Sequence, residues 1–227
     1  PHTVRRRFML RPEGLSEFWE SCLFMEEKKL FCVSLGCDKN LVDTEKMLRL
    51  IRDMGISFTD DQGEADIILI NTCCFIGDAK EESVNTILEM AEEKKEGRCR
   101  ALIVTGCLAQ RYKEEILEEI PEVDARLGTT SWEEIGTVIR GICGGQESHV
   151  SCFHDLKELP ASEGRIVTTG GYYAFLKIAE GCDKRCTYCI IPYLRGPYRS
   201  VPMEDLLAEA RELARGGVRE LILVAQE

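Results

Sequence analysis

The sequence predicts an α/β protein: an N-terminal doubly wound parallel sheet, followed by the first βαβ unit of a (β/α) barrel that these 227 residues leave incomplete. Three observations carry that prediction. Between Lys29 and Glu134 one theme repeats three times, an apolar run that closes on a small or polar pair and then a cysteine. Each run is followed by apolar residues at helical spacing, and strand–helix alternation at these lengths gives a parallel sheet with helices on its faces. Beyond a glycine-rich stretch, a strand, a cysteine loop, an amphipathic helix and another strand open a second unit.

Taken in order, residues 1–28 read as a disordered extension. Arg5-Arg6-Arg7 precedes the short run Phe8-Met9-Leu10, which Arg11 ends well below signal-peptide length. Met25 stands just ahead of the first patterned segment. Residues 29–142 form the first domain. Its three runs are Leu30 to Cys37, Ile67 to Cys73 and Leu102 to Cys107, and near-continuous apolar runs read as buried parallel strands.

The helices follow from spacing. Met47, Leu50, Ile51 and Met54 lie on one face, with Asn40 as N-cap and Gly55 as stop. Val84, Ile87, Leu88 and Ala91 repeat the pattern behind an Asp78/Glu81 capping box. A third helix carries Ile116, Leu117 and Ile120 before Pro121. A fourth starts at Ser131, again with a glutamate three residues on, and buries Ile135, Val138, Ile139 and Ile142.

Residues 143–171 dissolve into glycines and polar residues around Pro160 and read as a linker, with His149 and His154 solvated. The second unit occupies 172–227. Tyr173 to Ala179 is its first strand, Pro202 opens a helix with Met203, Leu206, Leu207 and Ala210 on one face, Gly216-Gly217 ends it, and Leu221 to Val224 is the next strand. A standard eight-fold barrel takes roughly 250 residues, so this is about a quarter of one.

Twelve cysteines in a small secreted chain would mean disulfides. This sequence has neither a secretory apolar region nor a run long enough to span a membrane, so a reducing cytoplasm with metal thiolates fits better. A net charge of −11 opposes binding nucleic acid by phosphate neutralisation and favours a basic protein partner.

The chemistry concentrates in Gly181 to Cys189, where Cys182, Cys186 and Cys189 stand at C-x3-C-x2-C. Structural zinc and ordinary iron–sulfur clusters take four protein ligands, so three thiolates suggest a cluster with one iron open to a small molecule. A distorted zinc site and a disulfide-bonded loop are the alternatives. Cys37, Cys73 and Cys107 each fall just past the carboxyl end of a strand, the rim where open α/β sheets bind ligands, which predicts a second three-thiol site. The bland reading is three core cysteines. Cys22, Cys32, Cys74, Cys99, Cys143 and Cys152 share no such position and read as core, with Cys74 a fallback ligand beside Cys73.

The segments SLGCDKNLVDTE, INTCCF, TGCLAQR and KIAEGCDKRCTYCIIPYLRG together resemble the methylthiotransferases of the radical S-adenosylmethionine (SAM) superfamily, over about Lys29 to Glu227. The resemblance implies a transferase of a sulfur-containing group with two 4Fe-4S clusters and SAM. Cys182, Cys186 and Cys189 would hold the SAM-cleaving cluster and Cys37, Cys73 and Cys107 an auxiliary one. Tyr188 fits the family's aromatic before the last cysteine of the loop, and the SAM amino group would be met near Gln226 and Glu227. An open iron would chelate SAM, an electron from a low-potential donor would break a carbon–sulfur bond, and the resulting radical would take hydrogen from an unactivated carbon that no general base removes cheaply. Sulfur would come from the auxiliary cluster.

Within the family, Ser34 to Asp43 resembles the RimO branch, which modifies the β-carbon of an aspartate in small-subunit ribosomal protein S-twelve. The MiaB branch, acting on transfer RNA beside the anticodon, is the alternative. It usually places glutamine-methionine-asparagine where Asp38-Lys39-Asn40 stands here. Asp38, Cys74 and Val201 depart from the commonest pattern. Lys184 and Arg185 read as solvated loop charges, and the incomplete barrel makes a non-catalytic cluster-binding fragment the third reading.

Overall fold

Residues 28–145, 149–160 and 164–227 are described by a computed structural model. The extension expected at 1–28 therefore lies, apart from Lys28, outside the described residues. In order, the elements are β1 (Lys29–Ser34), α1 (Asp38–Asp53), β2 (Ser57–Phe58), β3 (Ile67–Thr72), α2 (Gly77–Glu96), β4 (Ala101–Gly106), α3 (Cys107–Glu119), β5 (Ala125–Leu127), α4 (Ile135–Cys143), β6 (Val150–Cys152), β7 (Tyr173–Lys177), β8 (Ala179–Glu180), α5 (Ile191–Arg195), β9 (Arg199–Ser200), α6 (Met203–Arg215) and β10 (Glu220–Val224).

The first six strands form one parallel sheet in the order β2-β1-β3-β4-β5-β6. The chain starts inside the sheet, steps outward to β2 and returns on the other side of β1. The order thus reverses between β1 and β3, and the crevice at the carboxyl ends of those strands is where such sheets take ligands. Every residue of β3 and β4 is buried, which is why their apolar runs have no polar alternation. Ile68, Ile70, Leu102 and Val104 pack with Ile87 and Met90 of α2 and Ile116 of α3. On the opposite face Ile67, Leu69 and Ile103 pack with Met47 and Ile51 of α1 and Ile135 and Ile139 of α4. Helices on both faces make the sheet doubly wound.

Several local expectations are corrected. Cys37, not Asn40, is the N-cap of α1; Asn40 is buried in the first turn. The Asp78/Glu81 box does not form, since α2 starts at Gly77 behind Ile76 with no side-chain cap. Leu88 is exposed on α2, while Met90 takes a core place. A 3-10 turn at Trp132–Glu134 precedes α4, and the Ser131 hydroxyl accepts from the His154 amide instead of capping. Within the stretch read as a linker, β6 adds the sixth strand to the sheet, His149 lies 3.2 Å from the Val123 carbonyl, and His154 stands among Glu133, Glu134 and Cys152.

In the second unit β7 and β10 pair in parallel from Tyr173 with Glu220 to Lys177 with Val224. Helix α6 connects them and packs through Leu213 against Ala174, Leu176 and Val218, with Leu206 and Ala210 alongside. Met203 and Leu207, expected on that face, are exposed. β8 and β9 form a two-residue antiparallel ladder that closes the cysteine loop.

The two units are joined by buried polar groups. Leu194 of α5 inserts into the first core, and its carbonyl accepts from Thr129 Oγ1 at 2.7 Å. Arg165 pairs with Glu45 at 3.2 Å and Glu209 at 3.3 Å. Lys177 bonds to Asp43 and, at 2.9 Å, to Glu180. Arg195 Nη1 donates to Asp43 at 2.7 Å and Glu180 at 3.1 Å, so two cations and two carboxylates close a buried network. Burial works against the Lys177 charge, but Asp43 and Glu180 outweigh it and raise its pKa above the ordinary 10.5. That contribution is complete below the unfolded value and is lost only as pH rises through the folded one.

Two stability measurements check this architecture by denaturant unfolding. Leu102→Ala should cost about 2–5 kcal/mol through the cavity it leaves in the sheet, whereas Leu88→Ala should stay within about 0.5 kcal/mol. Lys177→Ala, which leaves two buried carboxylates to one arginine, should cost about 3–5 kcal/mol at neutral pH; removing Arg49, whose partner Asp53 is exposed, should cost less than about 1 kcal/mol.

Candidate functional site

Cys37, Cys73 and Cys107 are placed by the first sheet. Cys37 lies in the turn after β1, Cys73 directly follows β3, and Cys107 is the first residue of α3, directly after β4. Pairing of the three strands in parallel puts all three on one rim. Cys37 is exposed while Cys73 and Cys107 are buried, and all three are free thiols. The turn before Cys37 runs close over Cys73: a Cβ on Gly36 would meet Cys73 Cβ at 2.6 Å, and its φ of +88° also favours glycine. Ser83 fixes Cys73 by accepting from its amide at 3.0 Å and donating to its carbonyl at 2.8 Å.

Asn40 holds the rim together. Its Nδ2 donates to Leu35 O at 3.0 Å and Thr72 O at 2.9 Å, joining the turns that carry Cys37 and Cys73. Cys107 Sγ lies 4.0 Å from Asn40 Oδ1, and the same oxygen accepts from Arg195 Nη2. Burial pushes the Cys107 thiol up, and the Arg195 guanidinium draws it back. Cys74 turns into the core, where burial raises its thiol to about 12; the same cause raises Cys32 to about 12 and Cys99 to about 11. Burial thus disfavours the thiolate form that a metal ligand needs at these three positions, Cys74, the fallback ligand, among them. Cys22 lies outside the described residues.

Cys182, Cys186 and Cys189 sit on the loop that β8 and β9 close. Gly181 starts it with φ +76°, and a Cβ there would lie 2.0 Å from Pro197 O, so the two sides of the loop approach this closely because position 181 has no side chain. The Cys182 amide donates to Gly196 O at 3.1 Å and the Tyr198 amide to Asp183 Oδ1 at 3.1 Å. Tight turns then follow, Cys186 N to Lys184 O at 2.7 Å and Cys189 N to Cys186 O at 3.0 Å. These cysteines are also free, so the loop is not disulfide-bonded.

Residues after β10 lie against this loop. Cys182 Sγ donates to Glu227 Oε2 at 3.6 Å, and Lys184 Nζ pairs with Glu227 Oε1 at 2.9 Å, so Lys184 is not a purely solvated charge. Gln226 Nε2 donates to Glu180 Oε1 at 3.1 Å, while its Oε1 is buried with no hydrogen-bond partner among the described residues. Tyr188 stands out of the loop, 87 % exposed, and Arg185 is exposed as expected.

The spacing of cysteines did not reveal Asn40, Asp43, Lys177, Glu180 or Arg195. Their signal was present as polar residues on otherwise buried positions, Asn40 and Asp43 one turn apart on α1 and Lys177 and Glu180 beside a buried strand. What each of them pairs with lies far away in sequence and could not be read from that pattern.

The chain matches two family models. That of the uncharacterized protein family UPF0004 covers residues 29–128, and that of the Radical SAM superfamily covers residues 176–227. Among curated relatives, the ribosomal protein uS12 methylthiotransferase RimO of Lachnoclostridium phytofermentans is 66 % identical over 200 residues, 88 % of this chain and 45 % of the relative. The protein of the same name from Acetivibrio thermocellus is 51 % identical over 207 residues, covering 88 % and 46 %. That from Trichlorobacter lovleyi is 48 % identical over 208 residues, covering 89 % and 45 %. The chain spans about half the length of the curated relatives it matches. With Cys37, Cys73 and Cys107 inside the first match and Cys182, Cys186 and Cys189 inside the second, the chain belongs to the radical SAM methylthiotransferase family.

Proposed function

We propose that this chain carries both metal centres of an enzyme that transfers a methylthio group to the β-carbon of an aspartate in ribosomal protein uS12. The observation that carries the reading is a pair of free-thiol trios, one gathered from the ends of three strands and the other on a single loop, each at the carboxyl edge of its own parallel strands and joined through one buried charge network. Relatives named for uS12 support the substrate, as does the segment Ser34 to Asp43. A net charge of −11 suits a basic protein partner better than the phosphates of transfer RNA.

The residues fit the groups this reading requires. Soft thiolates select iron–sulfur clusters, so Cys37, Cys73 and Cys107 would hold one 4Fe-4S cluster and Cys182, Cys186 and Cys189 the other. Gln226 Oε1, a buried acceptor without a partner among the described residues, suits the amino group of SAM, with Glu227 beside it. When bound, these groups supply one-electron cleavage of SAM and the sulfur to be transferred.

The chain's own residues position and shield. Gly36 and Ser83 fix Cys73 against the turn that carries Cys37. Lys184 holds the Glu227 carboxylate against Cys182. Glu180 orients the Gln226 amide so that its oxygen is left for the cofactor. Exposed Cys186 leaves one side of the loop open, where a low-potential electron donor of the cytoplasm would approach. Among the described residues no helix is long and apolar enough to cross a membrane.

Anaerobic reconstitution with iron and sulfide counts tests the two centres. The chain should bind about eight irons, and Cys107→Ala and Cys182→Ala about four each; an unchanged count in Cys107→Ala would return that residue to the core. The substrate is tested by peptide mass in a strain lacking the gene. The uS12 peptide should lose the mass of its methylthio group, and an unaltered peptide would end the reading.

A further inference from the structure

Arg195 is 1 % exposed and belongs to α5, six residues beyond the last cysteine of the barrel loop, yet it reaches the other cysteine site. Its Nη1 is consumed by Asp43 at 2.7 Å and Glu180 at 3.1 Å. Its Nη2 donates to Asn40 Oδ1, the oxygen that lies 4.0 Å from Cys107 Sγ. A guanidinium that only balanced the two carboxylates would need just the first edge. The second edge is directed to the rim where Cys107 sits.

Asp43 and Glu180 each pair with both Arg195 and Lys177, so two carboxylates already meet two cations, and a thiolate at Cys107 would add a further negative charge beside Arg195. Arginine stays protonated under all working conditions, so its charge is fixed. Hydrogen bonds and positive charge beside a cluster's sulfur ligands favour the reduced, more negative form and raise its potential.

We infer that Arg195 is a positioning residue for the centre at Cys37, Cys73 and Cys107: held by Asp43 and Glu180, it presses a fixed positive edge toward Cys107 and raises the reduction potential of a cluster bound there. Because Arg195 is carried by α5, the potential at the first rim depends on α5 being seated. The inference rests on the reading that these three cysteines hold an iron–sulfur cluster.

The test uses the chain with Cys182, Cys186 and Cys189 all changed to alanine, so that one cluster remains, measured by iron count and by a potentiometric titration followed by electron paramagnetic resonance. Two variants are compared in that background. Arg195→Gln with Asp43→Asn removes a cation and an anion together and leaves Lys177 and Glu180 paired; Arg195→Lys keeps the charge without the fork. The double variant should keep its circular dichroism and shift the potential negative, and the lysine variant should shift it the same way by less. If the double variant loses its iron with unchanged circular dichroism, the potential of the lysine variant decides. If the double variant unfolds, the lysine variant decides. Full iron with an unchanged potential in the folded variants overturns the inference and leaves the cluster reading standing. Failure to bind iron with Arg195 in place overturns both.

Discussion

The structure depends on a buried charge network that neither unit completes alone. Lys177, Glu180 and Arg195 come from the second unit, and Asp43 comes from α1 of the first. A buried charge without a partner is costly enough that groups change protonation to avoid it. Removed from Asp43, the second unit would hold two cations against one carboxylate. Electrostatics therefore selects one docking, reinforced by Glu45 with Arg165 and Thr168 and by Leu194 in the first core.

That docking matters because both units place their cysteines by the same topological rule. A parallel sheet gathers the carboxyl ends of its strands on one rim, and the loops there are free to carry ligands. In the first unit, strands far apart in sequence bring single cysteines to the rim. In the second, one loop carries three cysteines, and the strand that follows brings Gln226 and Glu227 beside it. Asn40 and Arg195 then link rim to rim, since Asn40 ties the turns bearing Cys37 and Cys73 and receives the arginine.

The long elements were legible because their patterns had one physical cause. β3 and β4 are buried on both faces, so their apolar runs are unbroken, and α1 and α4 show helical spacing because one stripe meets the sheet. The short strands were not legible. β2, β5, β6, β8 and β9 hold two or three residues each, too few to show a period, and β6 lies in glycine-rich sequence. Caps failed where tertiary contacts outbid local ones: Asn40 serves the carbonyls of Leu35, just after β1, and Thr72, the last residue of β3, and Ser131 serves His154. The cysteine trios could be read from position and spacing. The network could not, because Lys177 and Asp43 are 134 residues apart and nothing local to either names the other.

The central claim is that this network seats both cysteine sites together, and hydrogen exchange across the chain tests it most directly. In Lys177→Ala, amide protection should fall together in the turn from Leu35 to Asn40 and in the loop from Gly181 to Cys189, with β3 and β4 unchanged. Loss confined to the barrel loop, with the Cys37 turn as protected as before, would contradict the account.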